Sequence, residues 1–382
     1  MQYELMQKDN TVAVISISMS GFITEVHGVL IPERMPLGTN VSGEKGVYLL
    51  QNWWGGRCIP ASRSGVRNLL EALDISDTSQ FLTKSMGLSL SDQYWVREEG
   101  SELRWKDVNF FENPFSDDIG DLLFSMVRKK GPEFSFSSPD NTSDGVLIKR
   151  WKIINGKFCL IKGGSGTLKQ EPLNERIASV IMDALGIDHV DYEIQWDGNT
   201  PYSVCEDFID TGTELVSAKR LLAIVDSDES VYRRYVKVCS NFGIDVVPAL
   251  DRMMVIDYIM CNNDRHTNNF GLIRDVESLE FLKPAPIFDT GSSLGASLPT
   301  DEISKAAIYC KPFCDTFDQQ MNYVSDMSWI DFDALSGIMP EVKDILSSSK
   351  YMGEGRTEAV CSLLSERIGR LERLSHVERG RI

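Results

Sequence analysis

Asp264, Asn269 and Asp289 are three oxygen-bearing side chains of the types needed to handle a metal-bound triphosphate. The first two lie in Cys-Asn-Asn-Asp-Arg-His-Thr-Asn-Asn-Phe-Gly (261–271), the third in Pro-Ile-Phe-Asp-Thr-Gly (286–291). Phosphoryl transfer asks for one carboxylate to orient the accepting hydroxyl, plus an Asn and a second Asp whose hard oxygens hold magnesium against the ATP phosphates. Asp264, Asn269 five residues on and Asp289 downstream supply all three. Alone, Asp-Thr-Gly is ordinary turn chemistry, and Asp264, Arg265 and His266 would suit a surface salt-bridge cluster. The run as a whole favours the chemical reading. His266, inside it, is expected to brace the loop and not to transfer protons.

The neighbouring elements must hold this trio in place. Residues 249–261 (ALDRMMVIDYIMC) carry the broad apolar stripe of a core helix, with Leu250, Met253, Met254, Ile256, Ile259 and Met260. That helix should end at Asn262 and Asn263, where a polar loop begins; loops on rigid supports are where catalytic groups tend to sit. Gly271–Ile273 and Ala285–Phe288 read as two short strands, a hairpin that would bring Asn269 and Asp289 to one end.

The segment resembles the catalytic region of the HipA-like kinases, which carry an Asn-x-Asp-Arg/Gly-His-x-x-Asn-Phe/Gly loop and then a Pro-x-Tyr/Phe-Asp magnesium motif. Phosphoinositide kinases use a related Asp-Arg-His-x-x-Asn loop, so the loop leaves protein and lipid acceptors both open. The resemblance implies an α+β, two-lobed protein-kinase-like fold with a strand-rich small lobe, a helical large lobe and an additional N-terminal α/β region. It also implies ATP and Mg2+ as cofactors.

Such a kinase needs a lysine on a strand and a helical glutamate to fix it. Gly156–Lys162 is an apolar strand ending in Lys162, placed to contact the α- and β-phosphates of ATP. Residues 171–186 (EPLNERIASVIMDALG) read as a helix with Pro172 in its first turn and Gly186 at its close. Glu175 lies off the apolar stripe, one turn in, where it could reach Lys162. The resemblance carries the same roles onto both positions; without it, a solvated strand end and a first-turn acid favoured by the helix dipole remain open.

Gly163-Gly164-Ser165-Gly166-Thr167 looks like a phosphate cradle, but in a Walker loop the lysine follows the glycines, and Lys162 precedes these. The polar stretch 134–145 (FSFSSPDNTSDG) is the better candidate, its amides and the hydroxyls of Thr142 and Ser143 folding over the phosphates. HipA-like kinases use a Ser-containing loop here that can be phosphorylated, which puts Ser137, Ser138, Thr142 and Ser143 forward as modification sites. Residues 202–209 read as a last small-lobe strand entering a hinge, where backbone groups of Glu206 and Phe208 would contact adenine; a plain core strand is equally compatible.

The chain has 382 residues, 42% of them hydrophobic, enough for two or three domains and a large core. No run approaches the apolar length of a membrane span, and Met1–Asn10 lacks a basic n-region, so a cytoplasmic location is expected. Eight cysteines, mostly inside apolar segments, fit reduced thiols. Cys310 and Cys314 lack further ligands spaced for zinc. With 39 basic and 56 acidic residues the net charge is −17, which argues against direct nucleic-acid binding. Many HipA-like kinases pair with a small helix-turn-helix antitoxin, and the resemblance makes such a partner, and a toxin role, an expectation.

Residues 1–130 are expected to form an accessory domain with strands at 12–19, 27–31 and 48–54 and helices near 65–73 and 120–128. Residues 131–210 should form the small lobe, with a strand at 146–151, and 211–382 the helical lobe, closing on a helix at 357–374. Trp53, Trp54, Tyr94, Trp95, Trp105, Phe110 and Phe111 suit packing better than base stacking, because basic residues are not interleaved among them. The expected activity is transfer of the ATP γ-phosphoryl group to a protein Ser/Thr hydroxyl, possibilities outside it being a lipid or small-molecule kinase and a catalytically silent nucleotide-binding scaffold.

Overall fold

Alternating burial builds the amino-terminal sheet. In the computed structural model, which describes residues 1–63, 65–73, 75, 77–125, 135–142 and 145–379, β1 (Gln2–Gln7), β2 (Asn10–Ile17), β3 (Ile23–Val29) and β4 (Tyr94–Glu98) form an antiparallel sheet of order β3-β2-β1-β4. Tyr3 pairs with Ile15 on one side and Glu98 on the other. Val12, Ala13, Ile15 and Ile17 of β2 turn into a core completed by Leu50, Trp53 and Trp54.

Those last three belong to the helix Gly43–Gly55, which corrects the strand expected at 48–54. Its buried residues are Gly46, Leu50, Trp53 and Trp54, the three- and four-residue spacing of a helix face and not the two-residue spacing of a strand. The other aromatics are also packing residues: Trp95, Trp105 and Phe110 share a core with Met6, Leu88 and Leu90.

The chain divides into two units. The first comprises 1–161, 207–216 and 273–280. Its later segments are fastened by buried polar contacts: Gln93 donates to the carbonyls of Asp210 and Thr213 at 2.8 and 2.9 Å, and Arg274 donates to Glu214 at 2.6 Å. The unit also holds β5 (Lys149–Ile154), three residues later than the sequence suggested, and most of β6 (Lys157–Gly163). Asn155 and Gly156 join them at φ of 52° and 79°, the left-handed pair that suits a tight hairpin turn.

The second unit comprises 162–206, 217–272 and 281–382. Lys162 and Gly163, the end of β6, fall here, followed by the helix Glu171–Ala184 and the antiparallel pair β7 (Glu193–Asp197) and β8 (Thr200–Glu206). Like β6, β9 (Thr213–Ser217) and β10 (Gly271–Asp275) run from one unit into the other along the chain. β11 is Phe281–Pro284, so Ala285–Phe288 is not the expected strand; only Ile287 makes an isolated parallel bridge, with His189. Pro284 precedes this stretch and Pro286 lies within it, and proline cannot donate to a ladder.

Helices complete the unit. Val247–Met260 is buried almost all round and stops at Cys261, whose φ of 51° turns the chain out of the helix into the polar loop. The long helix Glu354–Arg379 buries Val360, Leu363, Leu364, Ile368 and Leu371. Arg367 is also buried there, 3.4 Å above the Tyr258 ring and donating to the Tyr258 carbonyl at 2.9 Å. With antiparallel strands and a set of packed helices the chain is α+β, the class expected. All eight cysteines are free thiols. Among the described residues no helix is long and apolar enough to cross a membrane.

Candidate active site

Lys162 ends β6 with its side chain only 6% exposed. Burial alone would push its ammonium toward losing the proton, yet Asp289 and Glu175 outweigh that and hold it protonated, well above the usual lysine range. The ammonium donates to Glu175 at 2.6 Å and to Asp289 at 2.8 Å, and lies 3.5 Å from the Tyr192 hydroxyl. Burial raises the Glu175 carboxyl while Lys162 opposes the rise. Glu175 also accepts a hydrogen bond from the Ser203 hydroxyl, and Tyr192 accepts one from the Asp289 amide at 3.1 Å. Lys162, Glu175 and Asp289 are therefore brought together.

The start of the Glu175 helix is also held by the segment that follows Asp289. Asn174 donates to the carbonyls of Gly291 and Ser293 at 2.9 and 2.8 Å, just beyond Asp289. Gln170 donates to Leu294 and accepts from Arg356, which also donates to the carbonyls of Gly295 and Leu298. A Cβ on Gly291 would sit 3.3 Å from atoms of both Glu171 and Glu175, which explains glycine after Asp289-Thr290. Ser165 of the glycine-rich run donates to the Glu171 carboxylate through its amide at 3.0 Å and through its hydroxyl, which ties that run to the first residue of this helix.

Arg265 organises the loop 262–269. It is fully buried, not part of a surface cluster, and pairs with the equally buried Asp257 at 2.9 Å. Its Nη1 donates to the Asn269 carbonyl at 3.0 Å and to the Phe288 carbonyl, so one guanidinium nitrogen joins the loop to the residue before Asp289. Asn262 donates to Asp257 at 2.8 Å and accepts from the Asp264 amide at 3.1 Å. The Asn269 side-chain nitrogen donates to the Asp264 carbonyl at 3.3 Å, which closes the loop on itself. Asp264 is half exposed, and its carboxylate accepts from Lys311 at 3.0 Å. His266 accepts from the Asn268 amide at its Nδ1, 3.3 Å away, a bracing contact within the loop.

The remaining sequence-derived residues are placed as follows. Glu206 is exposed at the end of β8, and Phe208 is half-buried beyond the passage from one unit to the other. Thr142, in a short 3-10 turn, donates its hydroxyl to the Leu88 carbonyl at 2.7 Å within the first unit. Ser143 lies outside the described residues. Ser137 is exposed, whereas Ser138 is fully buried.

Sequence reasoning missed Tyr192, Ser203 and Lys311. Ser203 alone left a signal: β8 buries Pro201, Ser203 and Cys205 on one face, and a hydroxyl on a buried strand face needs a partner. As for metal, the side chains of Asn269 and Asp289 each offer hard oxygen, the donor type that Mg2+ takes.

Over part of its length the sequence is related to that of a serine/threonine-protein kinase. No family model matches the chain. It is 30% identical over 146 residues to the serine/threonine-protein kinase CtkA of Helicobacter pylori, a match covering 32% of this chain and 44% of CtkA, so it spans less than half of that relative. Among solved structures, the H. pylori proinflammatory kinase CtkA is similar with TM-score 0.47 and 22% identity over 60% of this chain and 93% of that one. HipA of Shewanella oneidensis, solved with HipB and operator DNA, is similar with TM-score 0.49 and 13% identity over 97% of both chains.

Proposed function

We propose that the chain is an ATP- and Mg2+-dependent kinase that transfers the γ-phosphoryl group to a Ser or Thr hydroxyl of a protein. The observation that carries this reading is Lys162, buried and charged between Glu175 at 2.6 Å and Asp289 at 2.8 Å. Nothing in packing requires two carboxylates around one buried ammonium, and such a group is suited to meeting phosphate oxygens. In this mechanism Asp264 orients and accepts the proton of the attacking hydroxyl. Lys162, steered by Glu175, positions the α- and β-phosphates, while Asn269 and Asp289 are the cation ligands. Bound Mg2+ would neutralise charge on the phosphates. Within the second unit, the backbone of Glu206 is assigned to adenine. The partial match to CtkA supports a protein acceptor.

The test is incorporation of label from γ-labelled ATP with Mg2+, into the chain itself, a protein extract and lipid vesicles. The wild type is expected to label protein. Asp264→Asn and Asp289→Asn are each expected to lower the rate about 10²–10⁴-fold with unchanged circular dichroism. Near-native turnover by Asp289→Asn would overturn the assignment, and label confined to vesicles would move the acceptor from protein to lipid.

By the family resemblance we also propose a small, basic helix-turn-helix antitoxin as partner, which the net charge of −17 complements. In that setting the chain acts as the toxin and reaches DNA only through the partner.

A further inference from the structure

Among the described residues one group of potential metal ligands stands apart from the proposed phosphotransfer site: Asp183, His189 and Asp191, whose ligand atoms lie within 4.8 Å of one another. Asp183 is in the last turn of the Glu175 helix, and the other two follow on the segment leading into β7. The carboxylates are exposed, and alone they would be two solvated acids. The imidazole is different. Its side chain is 7% exposed, and its Nε2 is buried with no hydrogen-bond partner, 3.7 Å from Asp183 Oδ1.

The tautomer follows from the other ring nitrogen. Nδ1 lies 2.8 Å from the Ile187 carbonyl, which can only accept, so Nδ1 carries the proton. In the neutral ring, Nε2 is then left with its lone pair, facing the carboxylates. A backbone carbonyl holding Nδ1–H and a bare Nε2 is the arrangement of a metal-ligating histidine, because it fixes both the tautomer and the ring orientation. Leaving a buried nitrogen unsatisfied costs stability, and a cation would recover that cost.

We propose that Asp183, His189 and Asp191 bind a divalent transition-metal ion of borderline softness, of which Zn2+ is the representative. One imidazole with two carboxylates suits zinc, whereas Mg2+ and Ca2+ prefer oxygen throughout. Tetrahedral zinc at about 2.0–2.1 Å from its ligands sets donors about 3.3 Å apart. Reaching that spacing from 3.7 Å needs a small swing of the exposed carboxylates over a fixed ring. Asp191 meets Arg176 at 3.3 Å, and Arg176 also reaches Glu193 at 3.7 Å and Glu341 at 3.9 Å, so it keeps acidic partners when Asp191 turns to the ion. Water completes the coordination on the open side.

The ion would tie the end of the Glu175 helix to the segment containing Tyr192, whose hydroxyl is 3.5 Å from the Lys162 ammonium. The site itself does not depend on the kinase reading. Its test is zinc binding by the full chain, measured against a chromophoric chelator with millimolar Mg2+ and a non-thiol reductant. The wild type is expected to bind one Zn2+ that Mg2+ does not displace, with a higher melting temperature in zinc. The surface variant Asp183→Asn/Asp191→Asn, which leaves the buried ring in place, is expected to lose at least about 100-fold in affinity and the thermal shift; His189→Gln should do the same. Absence of zinc binding by the wild type, or equal affinity in the double variant, as zinc on the free thiols would give, overturns the proposal.

Discussion

Lys162→Met is expected to abolish phosphoryl transfer and to cost about 3–5 kcal/mol of stability near neutral pH, the usual penalty for stranding one member of a buried ion pair. Glu175 is the stranded member, 3% exposed and left with the Ser203 hydroxyl as its hydrogen-bond donor among the contacts described. The loss should shrink in acid. Burial already pushes the Glu175 carboxyl up, and Lys162 is the charge that opposes the rise. Without it the folded protein holds a proton on Glu175 at pH values where the unfolded chain has released it. A folded-state pKa above the unfolded one stabilises the fold at low pH and loses that contribution as pH rises through it. Urea midpoints of Lys162→Met should therefore climb from pH 8 to pH 5 more steeply than those of the wild type. Parallel pH profiles for the two proteins would show that Glu175 does not depend on the lysine for its charge.

Arg265→Met is expected to be comparably destabilising, about 3–5 kcal/mol, because Asp257 is also fully buried and would keep an uncompensated charge. Asn262 remains as a donor to Asp257 but brings no charge. The variant also frees the carbonyls of Asn269 and Phe288 from their shared donor. Activity should thus fall even where the protein stays folded, since misplacement by about 1 Å costs on the order of 10²-fold. Adding Asp257→Leu should restore part of the stability by removing the stranded charge, and none of the activity. Denaturant unfolding of the three variants measures the first effect and labelled ATP the second; a loss under about 1 kcal/mol for Arg265→Met would contradict the role given to the pair.

What could be read from the sequence was local. The helix Glu171–Ala184 carried Pro172 near its start, an apolar stripe and Gly186 past its end, so its bounds and the position of Glu175 followed from side-chain chemistry. The helix ending at Met260 and the strand ending near Lys162 were legible for the same reason. The run 48–54 was not, because its apolar residues are too few to separate periods of two and 3.6; the burial of Gly46, outside the run, decides for helix. Ala285–Phe288 has strand composition, but Pro284 and Pro286 leave a single bridge. Tyr192 and Lys311 reach the site from distant positions, and tertiary packing alone places them. Arg265 was given no role of its own, because nothing in Asp-Arg-His reveals that Asp257, eight residues earlier, is its buried partner.

The contact of Arg356 with Gln170 makes the rearmost helix a strut for the front of the site. Any lesion that unseats Arg356 transmits leverage through the Glu175 helix to Lys162. Substitution of Arg356, which touches no proposed reacting group, is thus expected to loosen the Lys162–Glu175 pair and to lower any activity that depends on it.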